Sequence, residues 1–493
     1  MTSSSHLTER VASQIAPLIP AHSAILIGLS GGVDSVVLLH LLHKLTPRFS
    51  WQLSALHVHH GISPNADAWA EFCTDLCVRY AIPLCIKHVD IVPLREHGIE
   101  AAARKLRHAA FAGQRCDFVA LAHHADDQAE TLLLQLLRGA GVRGAAAMRL
   151  LAVRANSAKL LRPLLHCSRQ EIMTYAAEQG LQWIEDESNA DDSYPRNYLR
   201  HRVMPLLENQ FPAYRDTLAR SAQHFANASD LLDERAQQDA PDLFPFDKTT
   251  SHSTWLPKFG SQVAAYPISG IGVGREGDEL LLDVSRLQSL SQPRAKNLLR
   301  YFLYQHNAPM PQAAQLDDML RQLSNARPDA AVCISYGDRE VRRYQGKVYV
   351  LRALGEFDRN FVLSWHGETE LFWPALNAQI KFTHAQHSQG VGISLAKLQR
   401  APVTLRLRRG GEILRPQLQA ATRTLKNLLQ EHHVPPWQRD RLPLLHCGDE
   451  LICVPGVAVA VEYQSADDEE GIAVNFCPTQ DIPDGKSNSS PTC

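Results

Sequence analysis

A buried apolar run from Ala24 to Leu29 breaks at Ser30-Gly31-Gly32-Val33-Asp34-Ser35, and apolar residues resume at helical spacing from Val33 to Leu45. Glycines directly after a strand let the chain turn tightly and aim successive N–H groups at the positive end of the next helix, which makes the turn an anion site. The P-loop needs a lysine that is missing here, and the dinucleotide GxGxxG spacing is missing too. What is left is a pair of hydroxyls, Ser30 and Ser35, suited to phosphate, and a carboxylate, Asp34, suited to Mg²⁺ or to ordering a pyrophosphate. An N-capped helix after a tight turn, with no ligand, is the plain alternative.

A second group lies in "HHADDQAET", His123 to Thr131. With His57, His59 and His60 after another strand, its histidines and aspartates could form a zinc site, but the HxHxDH pattern fails because Gly61 stands where an Asp is needed. The other reading is geometric. Asp127 and Glu130 are three apart at a helix start, so both carboxylates face one way and can meet one substrate cation. They could equally complement the helix dipole. Arg104, Lys105 and Arg107 stand on an alanine-rich helix, and Arg196 and Arg200 share a helix face near Arg202. Taken alone these are solvated charges; beside an anion site the arginines become clamps for phosphate, which a guanidinium meets with two parallel bonds.

These residues must be held by alternating strands and helices. Strands at Leu53 to His59, Leu84 to Val89 and Phe118 to Ala122 separate helices at Asp67 to Tyr80, Ile99 to Gln114 and Asp126 to Arg138, a rhythm that predicts a parallel sheet covered on both faces. A capping box at Ser168 to Glu171 opens a further helix that stops at Gly180, and another follows from about Arg196 to Asn209. From Tyr214 to Gln238 a long alanine-rich, charged helix is expected to lead away from the sheet. Helices near Pro293 to His306 and Gln312 to Ser324 and strands near Val332 to Ser335 and Lys347 to Val350 mark a middle domain.

With 493 residues the chain exceeds what one core usually supports. Ordinary hydrophobic (45%) and charged (21%) fractions and the lack of a membrane-length apolar run exclude an integral membrane class. The polar N-terminus and ten scattered cysteines without a CxxC pair predict a cytoplasmic location and reduced, mostly buried thiols. A net charge of -2 gives no global pull on nucleic acid, so local patches must supply it. Between Ala401 and Leu445 eight Lys/Arg face three acids, and arginines alternate with Trp437 and His432/His433, a composition that suits phosphate contacts beside a stacking platform.

SGGVDS after a buried strand resembles the PP-loop motif of ATP pyrophosphatases. Within that superfamily "HVHHG" (from His57), "EAAARKLRHAAF" (from Glu100), "LAHHADDQAETLLLQLLRG" (from Leu121) and "WIEDESNADDSYPRNYLRHRVMPLL" (from Trp183) are similar to the tRNA(Ile)-lysidine synthase family, as are "RRGGEILRP" (from Arg408) and "TLKNLLQEHHVPPWQRDRLPLL" (from Thr424). The resemblance implies an α/β fold. Its N-terminal parallel-sheet domain is adenine nucleotide alpha hydrolase-like (PP-loop, 1–213), followed by a helical connector (214–240) and two smaller domains (241–355 and 370–475) that hold tRNA. The tail, 476–493, is expected to be disordered.

It also implies chemistry. ATP, with Mg²⁺ on Asp34, adenylates the carbonyl oxygen at carbon 2 of the wobble cytidine in the CAU anticodon of isoleucine tRNA, releasing pyrophosphate, and free L-lysine displaces AMP from that carbon to give lysidine, changing codon reading from AUG to AUA. Asp34, Asp127, Glu130, Arg104 and Arg107 are then catalytic, and Ser30, Gly31, Gly32, Val33, Asp34, Ser35, His57 and His123 bind the nucleotide. Arg196, Arg200, Arg202, Arg408, Arg409, Arg415, Lys426 and Arg439 bind tRNA, with no membrane and no obligate protein partner. The rivals are another PP-loop tRNA-modifying enzyme such as a 2-thiolase, a small-molecule ligase of the same fold, and a non-catalytic RNA-binding protein.

Overall fold

In the computed structural model, the described residues are 3–61, 63–91, 99–153, 158–187, 191–241, 243, 280–327, 330, 332–385, 392–418, 421–466 and 469–478. Most of the segment 241–266 and the tail from 479 therefore lie outside the described residues. The chain divides into two compact units, one of residues 1–239 and 303–307, the other of 240–302 and 308–493.

The first unit begins with α1 (Ser3–Ile15), then β1 (Ala24–Gly28), α2 (Val33–Phe49), β2 (Gln52–His59), α3 (Ala66–Arg79), β3 (Leu84–His88) and α4 (Ile99–Ala112). It continues with β4 (Phe118–Ala120), α5 (Ala125–Leu137), α6 (Val142–Ala145), β5 (Leu151–Ala152), β6 (Lys159–Leu161) and α7 (Arg169–Glu178). The six strands order as β3-β2-β1-β4-β6-β5. All pairs are parallel except β5 with β6, so the expected parallel sheet carries one antiparallel edge. Those two edge strands are only two and three residues long, too short for a sequence period to reveal.

Central position explains composition. Ile25 and Ile27 of β1 face one core with α2, while Leu26 faces the other with Leu56, Phe111 and Val119, so β1 is apolar on both sides. Likewise α2 buries Val36, Val37, Leu38, Leu39, Leu41 and Leu42, nearly its whole circumference. The chain leaves β1 toward β2 and β3, then returns to place β4 on the opposite flank. The sheet's switch point thus falls between β1 and β4, where a crevice opens beyond the strand ends.

The Ser168 capping box forms as expected: Ser168 Oγ accepts from Glu171 N (3.2 Å) and Glu171 Oε2 accepts from Ser168 N (2.8 Å). The helix expected from Arg196 is broken into α8 (Pro195–Tyr198), a π-helical turn (Leu199–Val203) and α9 (Met204–Gln210). Pro205 has no N–H to return to the preceding turn, which accounts for the widened register just before it. Helix α10 (Tyr214–Asp239) does not lead away; it packs along α5 and α6. Ala222, Ala226 and Ala236 are buried on it, and Arg149 meets Asp230 at 2.6 Å. Small residues at that spacing are what allow the close approach.

The second unit opens with β7 (Leu282–Asp283), α11 (Val284–Ser289), α12 (Gln292–Gln305), α13 (Ala313–Asn325), β8 (Val332–Tyr336), β9 (Arg339–Tyr344) and β10 (Lys347–Arg352). Its first sheet is β7-β10-β9-β8. The charged β9 was hidden in the sequence because Glu340 and Arg343 are buried there, Arg343 donating to the carbonyls of Leu323 and Ala326. The remaining strands are β11 (Val362–Trp365), β12 (Glu370–Trp373), β13 (Ala378–Ala385), β14 (Ile393–Ser394), β15 (Val403–Arg406), β16 (Ile413–Leu414) and β17 (Arg423–Thr424). After these come β18 (Leu444–Cys447), β19 (Glu450–Val454), β20 (Ala458–Val459) and β21 (Gly471–Pro478), with short helices α14 (Leu395–Leu398), α15 (Leu425–Glu431) and α16 (Pro436–Arg439) between them. Two sheets, β11-β15-β18-β19-β20 and β12-β13-β21-β14, share one core around Trp373, Leu445 and Ile452. Strand β11 pairs with β15 although it precedes the expected boundary at 370, and Phe476, expected in a disordered tail, is paired in β21 with Ile380.

Candidate active site

Beyond the ends of β1, β2 and β4 lies a cleft of about 610 Å³. Ser30, Gly32, Asp34 and Ser35 line it from the first turn, His57 and His60 from the second strand, and His123 and Asp127 from the third. Arg107 reaches it from α4, and Arg196 and Arg200 from the α8 region. Of the residues singled out in the sequence, the structure brings these together.

The turn is held by itself. Ser35 is buried, and its Oγ accepts from the N–H groups of Ser30 and Gly31 (3.2 Å each) while donating to the Gly32 carbonyl at 2.9 Å. Its hydroxyl, expected to hold phosphate, is spent on shaping the loop. Val33 belongs to the core, so only its backbone can serve a ligand. Ser35 N and Val36 N both donate to the Gly32 carbonyl at 3.0 Å, which leaves the N–H groups of Val33 and Asp34 as the first-turn donors for an anion. Gly31 has φ +90, and a Cβ there would stand 2.3 Å from Ile184 Cδ1. Ile184 N in turn donates to the Gly31 carbonyl at 3.0 Å, so the segment around Ile184 is clasped to the loop.

Asp34 accepts from Arg169 Nη1 at 3.3 Å through Oδ2, while its Oδ1 is buried without a hydrogen-bond partner in the described structure. Burial raises its carboxyl pKa, a rise that His124 (Nε2 at 3.8 Å from Oδ1) and Arg169 only partly oppose. An orphaned buried carboxylate oxygen beside a phosphate site fits Mg²⁺, which takes one or two carboxylates plus substrate phosphates.

Asp127 and Glu130 do face one way, but the cations they meet belong to this chain. Arg196 gives Nε to Glu130 Oε2 and Nη2 to Asp127 Oδ1, both at 2.8 Å. Arg200 gives Nε to Glu130 Oε1 (2.7 Å) and Nη2 to Glu130 Oε2 (3.0 Å) and Asp127 Oδ1 (3.2 Å). Glu130 is 2% exposed and does not line the cleft. Burial pushes the Asp127 pKa up, but His124, Arg196 and His123 outweigh it and the net direction is down. Asp127 Oδ2 also accepts from His124 N at 3.0 Å, fixing the start of α5.

Three histidines that line the cleft are held neutral. His57 gives Nδ1–H to the Leu29 carbonyl at 2.9 Å, and burial lowers its pKa. Burial, aided by Arg107, takes His60 to about 4, and burial takes His123 to about 3 against the pull of Asp127. Away from the cleft, burial and Lys44 also bring His40 to about 4. An unfolded histidine titrates near ~6.5. Each therefore binds its proton first in the unfolded chain, so its contribution to stability is whole above about pH 6.5 and is lost as pH falls toward 4. Melting temperature should fall steadily across that window; a flat profile would contradict these neutral assignments.

Other expected residues are placed elsewhere. Arg104 is exposed and outside the cleft lining, although its charge is felt by His123. Arg202 pairs with Asp192 at 2.8 Å and is 67% exposed, away from the cleft. In the second unit Arg409 and Lys426 are exposed and Arg408 is half-buried. Arg415 meets Glu462 at 3.9 Å. Arg439 is structural, donating to the Val434 carbonyl (2.7 Å) and Tyr344 hydroxyl (3.1 Å). Trp437 is no open platform: it packs edge-on against Tyr344 and Tyr349 with the Arg342 guanidinium 5.2 Å over its ring. His124, weighed in the sequence only as a zinc ligand, is set among Asp34, Asp126 and Asp127 at 3.5–3.8 Å, and the sequence reading passed over Ile184 on the loop. The doubled histidine beside two aspartates was the available signal for the first. Among the described residues no cluster of three or more His, Cys, Asp and Glu has a metal-holding arrangement. No described helix is long and apolar enough to cross a membrane. Cys73, Cys77, Cys167, Cys447 and Cys453 are buried free thiols.

The family model described as PP-loop domain matches residues 4–207, that described as TilS substrate binding domain matches 282–349, and that described as TilS substrate C-terminal domain matches 403–476. The chain is 40% identical to the tRNA(Ile)-lysidine synthase of Nitrosomonas europaea, with 92% of each chain covered. It is 38% identical to that of an Azoarcus species (93% of this chain, 92% of the relative) and 35% identical to that of Coxiella burnetii (93% and 94%). With its PP-loop turn and cleft at the sheet's switch point and this likeness along nearly its whole length, the chain belongs to the tRNA(Ile)-lysidine synthase family.

Proposed function

We infer that this chain is an ATP-dependent ligase that converts the wobble cytidine of a CAU-anticodon isoleucine tRNA to lysidine. The observation that carries the reading is the cleft lined together by the glycine-rich turn, the carboxylate of Asp127 and the two arginines Arg196 and Arg200. The carbonyl oxygen at carbon 2 of the cytidine attacks the α-phosphate of ATP, and pyrophosphate leaves. The ε-amine of lysine then attacks carbon 2 and AMP departs with that oxygen.

The helix-start N–H groups of α2 and the guanidinium groups of Arg107, Arg196 and Arg200 face the phosphates and stabilise the charge that develops on them. Mg²⁺, held by Asp34, would supply further neutralisation of the phosphate oxygens. Asp127 receives the lysine ammonium. Its lowered pKa suits it to anchor that cation rather than to take its proton. The target base must leave its stack, which an anticodon loop permits at modest cost.

The second unit grips the tRNA body, with Arg408, Arg409 and Lys426 as its phosphate contacts. Replacing all three with alanine should weaken tRNA binding by about 10-fold or more and flatten its salt dependence, with ATP affinity unchanged. Unaltered tRNA affinity would remove them from the interface. The function is tested by supplying radiolabelled lysine, ATP and isoleucine tRNA with a CAU anticodon. Label should enter the tRNA only with ATP present and should not enter methionine tRNA. A sulfur donor replacing lysine as the required co-substrate would point to the thiolase reading instead.

A further inference from the structure

We propose that Glu130 is a positioning residue for the ATP half of the reaction, holding Arg196 and Arg200 as a paired cation against the phosphates and making no contact with lysine. The inference rests on reading the cleft as the ATP site. Two acids three residues apart on one helix face look interchangeable, but their surroundings separate them. Asp127 lines the cleft, whereas Glu130 lies behind it with 2% of its side chain exposed.

Both Glu130 oxygens are already occupied, by Arg196 Nε and Arg200 Nη2 on Oε2 and Arg200 Nε on Oε1, all within 3.0 Å. A lysine ammonium could reach it only by breaking these bonds and leaving buried charges uncompensated, which is the costly way to disturb a buried ion pair. Asp127 is different: only its Oδ1 receives the arginines, at 2.8 and 3.2 Å, and it stands at the cleft wall.

Geometry gives the pair its role. Two guanidinium groups against two carboxylates are neutral at rest. Glu130 holds the two guanidinium groups side by side through their Nε edges, so their remaining donors are presented together to the phosphates before lysine enters. Neither Arg196 Nη1 nor Arg200 Nη1 has a hydrogen-bond partner among the described contacts, so each guanidinium keeps donors for phosphate oxygens while its Nε edge is locked by Glu130. Burial works against the charge on Arg200, but the bonds and field of Glu130 and Asp127 prevail and hold its pKa above the ordinary arginine value.

The test uses the full chain with Glu130→Ala, Glu130→Gln, Arg200→Ala and the double variant Glu130→Ala/Arg200→Ala. ATP affinity is read by calorimetry, and lysine KM is read at saturating ATP and tRNA. Glu130→Ala should weaken ATP binding by about 10-fold or more while lysine KM stays within about twofold, and Glu130→Gln, which keeps one of the two acceptor oxygens, should recover part of the ATP loss. The double variant should lose more than Arg200→Ala alone but less than the product of the two single losses, since Glu130 acts partly through Arg200 and partly through Arg196. A rise in lysine KM of about 10-fold with ATP affinity held would overturn the proposal, as would losses that multiply in the double variant. Should Glu130→Ala fail to fold, Glu130→Gln carries the same comparison. A wild-type chain that binds ATP but transfers no lysine would refute the lysidine reading, while the ATP arm would still decide the role of Glu130.

Discussion

Asp127→Asn should raise the lysine KM by on the order of 100-fold, with a much smaller change in ATP affinity. A desolvated charge pair contributes about 2 to 5 kcal/mol, and each 1.4 kcal/mol is tenfold in affinity. Asparagine keeps an acceptor for Arg196 and Arg200, so the cleft wall persists, but it presents no negative charge to the ammonium. The variant should therefore still form the adenylated tRNA and release pyrophosphate in the absence of lysine, and stall at the second step. Steady-state lysine titrations alongside single-turnover pyrophosphate release separate the two. A variant with normal lysine KM and slowed pyrophosphate release would move Asp127 to the nucleotide half.

The second large effect is at Gly31. Its φ of +90 is open to glycine at little cost and strained for any other residue, and an added Cβ would meet Ile184 Cδ1 at 2.3 Å, with Cys73 Sγ at 3.4 Å behind it. Gly31→Ala should cost about 1 to 3 kcal/mol of stability, the sum of backbone strain and overpacking. Its effect on ATP is larger than that implies. The Gly31 N–H and carbonyl tie the loop to Ser35 and to Ile184, so shifting this residue displaces both the anion donors and the segment that leads to Arg196. ATP affinity should fall beyond about 10-fold, and trimming Ile184 to Ala in the same chain should restore part of it by removing the clash. No recovery in the double variant would place the whole effect in the backbone.

These two residues show how far the sequence could be read. Gly31 was legible because a strand, two glycines and an amphipathic helix in succession have one common physical use. Its second constraint was not, since nothing local to residue 31 says that Ile184 will dock on it from across the sheet. Asp127 and Glu130 were legible as a pair from their spacing, yet their different surroundings come from Arg196 and Arg200 folding back over α5. Spacing fixes which face a side chain takes; it does not say what will cover that face. The same limit explains Trp437 and Arg439, which composition suggested for RNA and which the fold spends on Tyr344 and Tyr349. It also explains α10, whose alanines signalled close packing while its charges suggested solvent.

The two-step order is tested most directly with ATP labelled in the α-phosphate, isoleucine tRNA with a CAU anticodon, and no lysine. The tRNA should acquire label, no more than one AMP per molecule, with pyrophosphate released in equal amount. Adding lysine should then discharge that label as free AMP while lysine becomes attached. A tRNA that stays unlabelled until lysine is present, or label that leaves at the same rate with and without lysine, would contradict the adenylated-tRNA account.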